Sequence, residues 1–329
     1  MSIFFSFFLS ISFLGCTDLE EHSSSFVIET KKIDIPGYSY AFNASIIPFQ
    51  EAYLLSFRTG SYQDAADSVF IQNVLPGSRP RKTDEIGLVF LNKNMEAEGP
   101  VHILDIHHHH GLRAFRQQDP RLVEVGGRVY IVYSNMIERR EDPIRRVFVA
   151  ELFYDGAQFT AGSPEYLAHF EGAGNRRVEK NWVPFDFEGK LLLSYSLVPH
   201  IVFAPLWGSS ACTTVAKTAA TISWNYGEPR GGTPAILDQG QYIAFFHSSK
   251  MMASKQSGCQ KMLHYFMGAY TYLAEDPFSL TAISPSPILA KSFYSGTMYN
   301  TWKPLRVIFP CGLVADKNFF WVTYGRQGH

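Results

Sequence analysis

Short apolar runs separated by tight polar turns fill the chain from Tyr40 to Tyr324. The clearest case is "QQDPRLVEVGGRVYIVYS" (117–134), and four other stretches follow the same plan. They are "YAFNASIIPFQEAYLLSFR" (40–58), "EKNWVPFDFEGKLLLSYS" (179–196), "RGGTPAILDQGQYIAFFHS" (230–248) and "RVIFPCGLVADKNFFWVTYG" (306–325). Each opens on polar or small residues and enters a short apolar run. A turn rich in Gly, Asp, Glu or Gln follows. A second apolar run then ends on an aromatic: Phe57, Tyr133, Tyr195, Phe246 and Tyr324 in turn. Two short apolar runs around a tight turn predict a β-hairpin. Strand-like pieces lie between the hairpins, such as "RRVFVAELFY" (145–154) and "YFMGAYTYL" (265–273). No segment carries a long, capped helical period, so the fold class predicted is all-β.

Five similar hairpins at blade-sized intervals favour a five-bladed β-propeller over the alternative, a β-sandwich. In a propeller the inner strands of all blades converge on a central channel. Polar residues just before equivalent inner strands then gather at one end of it. Asn43, Asp119, Lys180 with Asn181, and Gly231 to Thr233 hold that position in successive repeats. Such a cluster is the usual setting of a ligand site. Asn43 also begins an "NAS" glycosylation sequon, but its place at the channel mouth argues against a surface glycan.

The chain has 329 residues, enough for a sizeable core. Lys and Arg number 29 against 30 Asp and Glu, which leaves no electrostatic footprint for nucleic acid. Aromatics at 15% against 18% charged residues lean towards an aromatic-rich β protein or a sugar-binding surface. Cys16, Cys212, Cys259 and Cys311 lack the spacing of a zinc site. A Cys212–Cys259 disulfide is open to an exported chain. The opening "MSIFFSFFLSISFLGC" is too short to span a bilayer well. It has the length of a signal-peptide apolar region, and its end resembles a lipoprotein cleavage site with a lipid on Cys16. An N-terminal apolar strand is the competing reading. The organisation expected is a signal or lipoprotein segment with a polar tether at 1–25, and a single propeller domain at 26–329. Export or lipid anchoring is favoured over the cytoplasm.

The segments "DPRLVEVGGRVYIVYS", "GGTPAI" with "FFHSS" downstream, "ISPSPIL" (283–289) and "FPCGLV" (309–314) carry a resemblance in their order and spacing. From about Tyr40 to Tyr324 the chain resembles glycoside hydrolase family 130, the β-mannoside phosphorylases and related mannosidases, which are five-bladed propellers. The resemblance implies that Asp119 of the Asp-Pro-Arg motif is the general acid of an inverting reaction. Phosphate, or water in hydrolytic members, attacks the anomeric carbon while the acid protonates the leaving oxygen through a sugar hydroxyl. A phosphate nucleophile needs a cationic cradle. The resemblance places Lys180 and His247 in it. Arg58 is a third candidate, and Arg176 and Arg177 are weaker ones. Two departures stand out. Gln118 replaces the usual Glu before the motif, and the chain ends "YGRQGH", with Gly328 where the family carries a sugar-binding acid. The last blade is also short; either its missing strand comes from the N-terminus or the sequence is cut short here.

Each residue also has a plainer reading. Asp before Pro starts many turns, with Arg121 as its ion-pair partner. Lys180 reads equally as a solvated lysine at a strand start, and His247 as a satisfied core histidine. Trp182, Phe185, Trp224 and Tyr226 are either sugar-stacking platforms or core. The run "HHHH" (107–110) is expected in a surface loop, because histidines along a strand alternate faces. "REDPIRR" (140–146) is expected to be a solvated blade connection.

The expectation is therefore a carbohydrate-active enzyme. It would carry out inverting phosphorolysis or hydrolysis of β-mannosides or similar β-glycosides, with Asp119 catalytic. Asn43, Arg58, Arg121, Lys180, Asn181, Thr233 and His247 form the candidate substrate and phosphate-binding set. No metal or cofactor is expected beyond inorganic phosphate as co-substrate. The partner is an oligosaccharide, with membrane attachment through Cys16 as an option. A mannosyltransferase running in the synthetic direction, a non-catalytic carbohydrate-binding propeller and a scaffold with a filled channel are the alternatives.

Overall fold

The computed structural model describes residues 16–21, 23–60, 84–106, 108–109, 112–113, 116–137, 144–174, 178–296 and 304–326. Among them the chain is all-β, with a single 3-10 turn at Lys255–Ser257 and no α-helix. Four sheets, antiparallel except for one parallel pairing of Leu305–Arg306 in the fourth, form in chain order. Sheet I runs Phe42–Phe49, Ala52–Gly60, Asp84–Leu91, Ala97–Ile103. Sheet II runs Gln118–Val125, Arg128–Ile137, Ile144–Tyr154, Phe159–Ala161, with Glu165–Leu167 also pairing to its third strand. Sheet III runs Val183–Phe187, Lys190–Leu197, His200–Leu206, Ala211–Thr218. In sheet IV, Arg230–Gly231 and Ile236–Asp238 pair with Gln241–Met252, which pairs with Met262–Leu273. The last repeat forms a two-stranded sheet, Ile308–Asp316 with Phe319–Arg326.

The arrangement is a β-propeller, and its core shows why. Apolar clusters lie between successive sheets rather than in one central mass. Ile47 and Leu54 meet Leu122 and Ile131 between sheets I and II. Val123 and Val125 meet Leu191 and Leu193 between II and III. Phe185 meets Tyr242 and Phe246 between III and IV. Phe245 and Phe266 meet Ile308 and Leu313 between IV and the C-terminal hairpin. The circle closes where Val314 meets Ile46 and Leu55 of sheet I. Each fully buried side chain of this size contributes about 1.5–3 kcal/mol, so every interface is needed for the ring.

Local chemistry sets each hairpin. Three inner turns place two consecutive residues in the left-handed region: Gly126 and Gly127, Glu188 and Gly189, Gln239 and Gly240. That is the backbone of the turn that matches strand twist, and glycine takes its second position without a Cβ clash. The closing aromatics lock the second strand to the third. Phe57 lies over its cross-strand partner Gly87, and Phe246 over Gly268. A Cβ at either glycine would stand 2.4 Å from the ring.

Several expectations change at the N-terminus. Residues 17–21 and 23–25 are not a free tether. Thr17 bridges to Ser254, Leu19 is buried, and Leu19 N donates to Gln256 Oε1. The Glu20 carboxylate accepts from the Tyr294 and Ser295 backbone N–H groups. The segment therefore packs on sheet IV and does not supply a strand to the C-terminal hairpin. Cys259 is bonded to Cys16, not to Cys212, which is buried and free together with Cys311. That disulfide uses the sulfur a lipid on Cys16 would need. Residues 1–15, Arg176, Arg177 and Gly328 lie outside the described residues. So do His107 and His110 of the histidine run, whereas His108–His109 pair with Leu112–Arg113 as a two-stranded sheet.

Candidate active site

Two inner strands carry the same local distortion, and the residue before a third matches it. Pairing slips between Phe42 and Ser45 in sheet I and between Gln118 and Arg121 in sheet II. The residue left over in each slip is left-handed: Asn43 at φ 52° and Asp119 at φ 55°. Asn181, just before the first strand of sheet III, matches them at φ 66°. The left-handed region costs an L-residue roughly 1–2 kcal/mol, and Asn and Asp tolerate it best. The bulge re-aims a side chain away from the ladder. Here it brings Asn43 and Asp119 together.

Asp119 is buried, with 7% of its surface exposed. Its Oδ1 accepts from Asn43 Nδ2 at 2.7 Å and lies 3.5 Å from the Arg58 guanidinium. Arg58 also reaches Asp84 Oδ2 at 3.0 Å and covers the Phe42 ring. Asp84 is buried too, and Gln118 Nε2 donates to it. Burial alone would raise the Asp119 pKa. The Arg58 charge, the Asn43 hydrogen bond, and the Arg121 and Lys180 charges outweigh it, so the carboxyl is held below its usual range. Asp119 rests as a carboxylate.

Arg121 does not pair with that carboxylate. Its guanidinium donates to the backbone carbonyls of Gly232 at 2.6 Å, Asp119 at 3.0 Å and Gly231 at 3.3 Å. It fastens sheet II to sheet IV. Gly231 must be glycine for a related reason: a Cβ there would stand 2.2 Å from the Asn181 carbonyl oxygen. Thr233 is fully buried, and its hydroxyl accepts from Phe245 N at 2.9 Å, facing the sheet.

The remaining charges are cationic. Lys180 is exposed at the mouth yet flanked by protein. Partial desolvation, with Arg145, Arg230 and Arg58 nearby, lowers its pKa against the pull of Asp119. His247 is 3% exposed and stacks on Tyr265, with its ring 4.3 Å from that of Phe309. Burial first, then Arg121, Lys180 and Arg230, hold its pKa well below the ordinary value, so it is neutral. Among the described residues His247 Nδ1 and Asn181 Oδ1 are buried without a hydrogen-bond partner. Asp119, Lys180 and His247, distant in sequence, thus share one electrostatic site.

Three of its members escaped the sequence reading. Asp84 opens the third strand of sheet I. Arg145 belongs to the stretch read as a solvated connection, but it donates to Ser134 Oγ and is coupled to Asp119, Arg58 and Asp84. Arg230 sits at the rim, paired with Glu228 at 2.9 Å. Conversely, Trp182 and Phe185 are fully buried in core clusters and present no face to a sugar. Trp224 and Tyr226 meet at a tilt, with ring centroids 5.3 Å apart, against the sheet IV core.

No protein-family model matches the sequence, and no curated protein matches it. Solved structures do. A candidate glycoside hydrolase from Parabacteroides distasonis superposes with a TM-score of 0.59 at 14% identity, over 95% of each chain. A glycosyl hydrolase from Bacteroides ovatus gives 0.56 at 14% identity, over 88% of this chain and 81% of that one. A structure from a study of the GH130 mannoside phosphorylases, reporting members that hydrolyse β-1,2 mannosidic linkages in Candida mannan, gives 0.56 at 15% identity, with the same coverage. At these identities the likeness is one of fold, and the fold is GH130-like.

Proposed function

We propose that this protein is a carbohydrate-active enzyme that transfers a β-linked glycosyl group, from a mannoside or a similar sugar, to inorganic phosphate. The observation that carries this reading is Asp119 itself. It is a buried carboxylate that feels the charges of Arg58, Arg121, Arg145 and Lys180, with Arg230 near Lys180 in turn. A phosphate dianion needs such a cradle to approach a carbon without being repelled. An inverting hydrolase needs a second carboxylate to activate water. The nearby acids Asp84 and Glu228 are each taken by an arginine, and buried Glu179 accepts from Trp182 Nε1, which supports phosphate over water.

In the reaction, a phosphate oxygen bonds to the anomeric carbon as the carbon–oxygen bond to the leaving group breaks on the opposite face. Asp119 supplies the proton that the leaving oxygen takes, directly or through a sugar hydroxyl. Lys180, Arg58 and Arg145 hold the phosphate, and neutral His247 donates or accepts a hydrogen bond at its rim. We count the C-terminal hairpin as the inner half of a fifth blade, since it closes the ring between sheets IV and I. The Cys16–Cys259 disulfide supports an oxidising location.

A second reading, a sugar-binding propeller without turnover, is favoured by the resting ionisation of Asp119, which suits a hydrogen bond to a sugar hydroxyl. Incubation with β-mannooligosaccharides, with and without inorganic phosphate, separates the two. Release of a sugar 1-phosphate supports phosphorolysis. Sugar binding with no product in either condition leaves the binding module.

A further inference from the structure

An acid catalyst must carry a proton, yet the contacts of Asp119 work against one. Its Oδ1 takes the Asn43 amide N–H and faces the Arg58 guanidinium, and both favour the carboxylate. Arg58, however, is not committed to Asp119. Its other terminal nitrogen lies 3.0 Å from Asp84, and Asp84 is fixed in turn by Gln118. The guanidinium is split between a carboxylate behind it and one at the mouth. The 3.5 Å arm towards Asp119 is the weaker, so an arriving anion can draw it off.

Resting on the reading that the mouth takes phosphate, we propose that anion binding and protonation of Asp119 are coupled. The bound anion takes over the share of Arg58 that now faces Asp119, and a proton from solvent settles on Asp119 Oδ2. Every surrounding element contributes a group to this balance. Sheet I presents Asn43, Arg58 and Asp84. Sheet II presents Arg121 and Arg145. Lys180 precedes sheet III, sheet IV presents Arg230 and His247, and the C-terminal hairpin presents Cys311. Arg121 keeps its charge on three carbonyls and cannot move. Burial pushes the Cys311 thiol up, so it stays neutral. The adjustable field at Asp119 is therefore that of Arg58, Arg145 and Lys180, and a dianion seated among them cancels much of it.

The consequence is an order of events. The acid is armed when the nucleophile is in place, and a glycoside arriving alone meets a carboxylate. Protons balance over a cycle. Asp119 gives its proton to the leaving oxygen, and the phosphate hydroxyl, acidic once esterified, returns one to solvent.

Sulfate is the direct probe, because it stays a dianion where phosphate titrates. Isothermal titration calorimetry at about pH 6, in buffers of different protonation enthalpy, counts the protons taken up. The expected result is roughly half a proton or more per sulfate bound. Asp119→Asn should bind sulfate and take up none, whereas His247→Gln, though it binds sulfate less tightly, keeps the uptake per sulfate bound. Heat independent of buffer overturns the coupling, and so does uptake that survives in Asp119→Asn. Sulfate binding without uptake would leave the phosphate reading standing. Absence of binding by both sulfate and phosphate would overturn the coupling and that reading together.

Discussion

Asn43 of sheet I donates its amide N–H to Asp119 of sheet II at 2.7 Å, and both residues sit in the left-handed conformation at equivalent bulges. The distortion that each strand tolerates is what lets two blades build one hydrogen bond at the channel mouth. Asn43→Gly keeps the backbone and removes the donor. A hydrogen bond to a charged group contributes about 1.5–3 kcal/mol, so the anionic form of Asp119 should lose stabilisation of that order. Losing a donor to the carboxylate also raises the Asp119 pKa, so the alkaline limb of the pH–rate profile should move up. An unmoved limb would show that the amide does not act on Asp119.

Arg121 and Lys180 should separate cleanly. Arg121→Ala strands three buried carbonyls and should destabilise the fold by about 3 kcal/mol or more, read as a lower melting temperature. Lys180 is exposed, so Lys180→Ala should leave stability within about 0.5 kcal/mol. It should instead raise KM for phosphate about tenfold. Thermal melts and phosphate titrations of the two variants check this.

The hairpins were legible because each combines an apolar pair with a turn whose residues demand the left-handed region, as in Gly126–Gly127 and Glu188–Gly189. The strand-like pieces at 145–154 and 265–273 are the strands Ile144–Tyr154 and Met262–Leu273. Asn43 and Asp119 could be placed together because the repeat fixes their offset. Asp84, Arg145 and Arg230 could not, since they stand on other strands or at the rim, and only the closed ring brings Arg145 to Asp119, Asp84 to Arg58, and Arg230 to Lys180 and His247. An acid opening an apolar strand, as in "DEIGLVFL", was the one available signal for Asp84. The pairing of Cys16 with Cys259 follows from the course of residues 17–21 over sheet IV, which no local pattern announces.

Acid should weaken the fold before the carboxylate range is reached. His200, His247 and His264 are all buried, and burial lowers each pKa from 6.5. A depressed folded pKa means that the unfolded chain binds the proton first. The stability these groups contribute is therefore present above about pH 6.5 and is lost as pH falls below it, at up to about 1.4 kcal/mol per pH unit for each. The Asp119 contribution has the same sign but is lost only below about pH 4. Melting temperature against pH should slope downward from about pH 6.5 towards 5. His247→Gln should flatten that slope.

Thiol counting tests the covalent frame. The denatured, unreduced protein should react at the two free cysteines, Cys212 and Cys311, and at all four after reduction. Cys259→Ser should cost about 2–5 kcal/mol of stability, since the closed loop is long. Four reactive thiols without reductant would reject the Cys16–Cys259 bond.

The central claim is that Asp119 protonates a leaving group while phosphate attacks. The most direct measurement follows a β-linked mannobiose and inorganic phosphate by phosphorus NMR, with the wild type and Asp119→Asn. The account predicts an α-configured sugar 1-phosphate from the wild type, at a rate about 10²- to 10⁴-fold lower in the variant. Free sugar at a rate indifferent to phosphate, or equal rates from the two proteins, would contradict it.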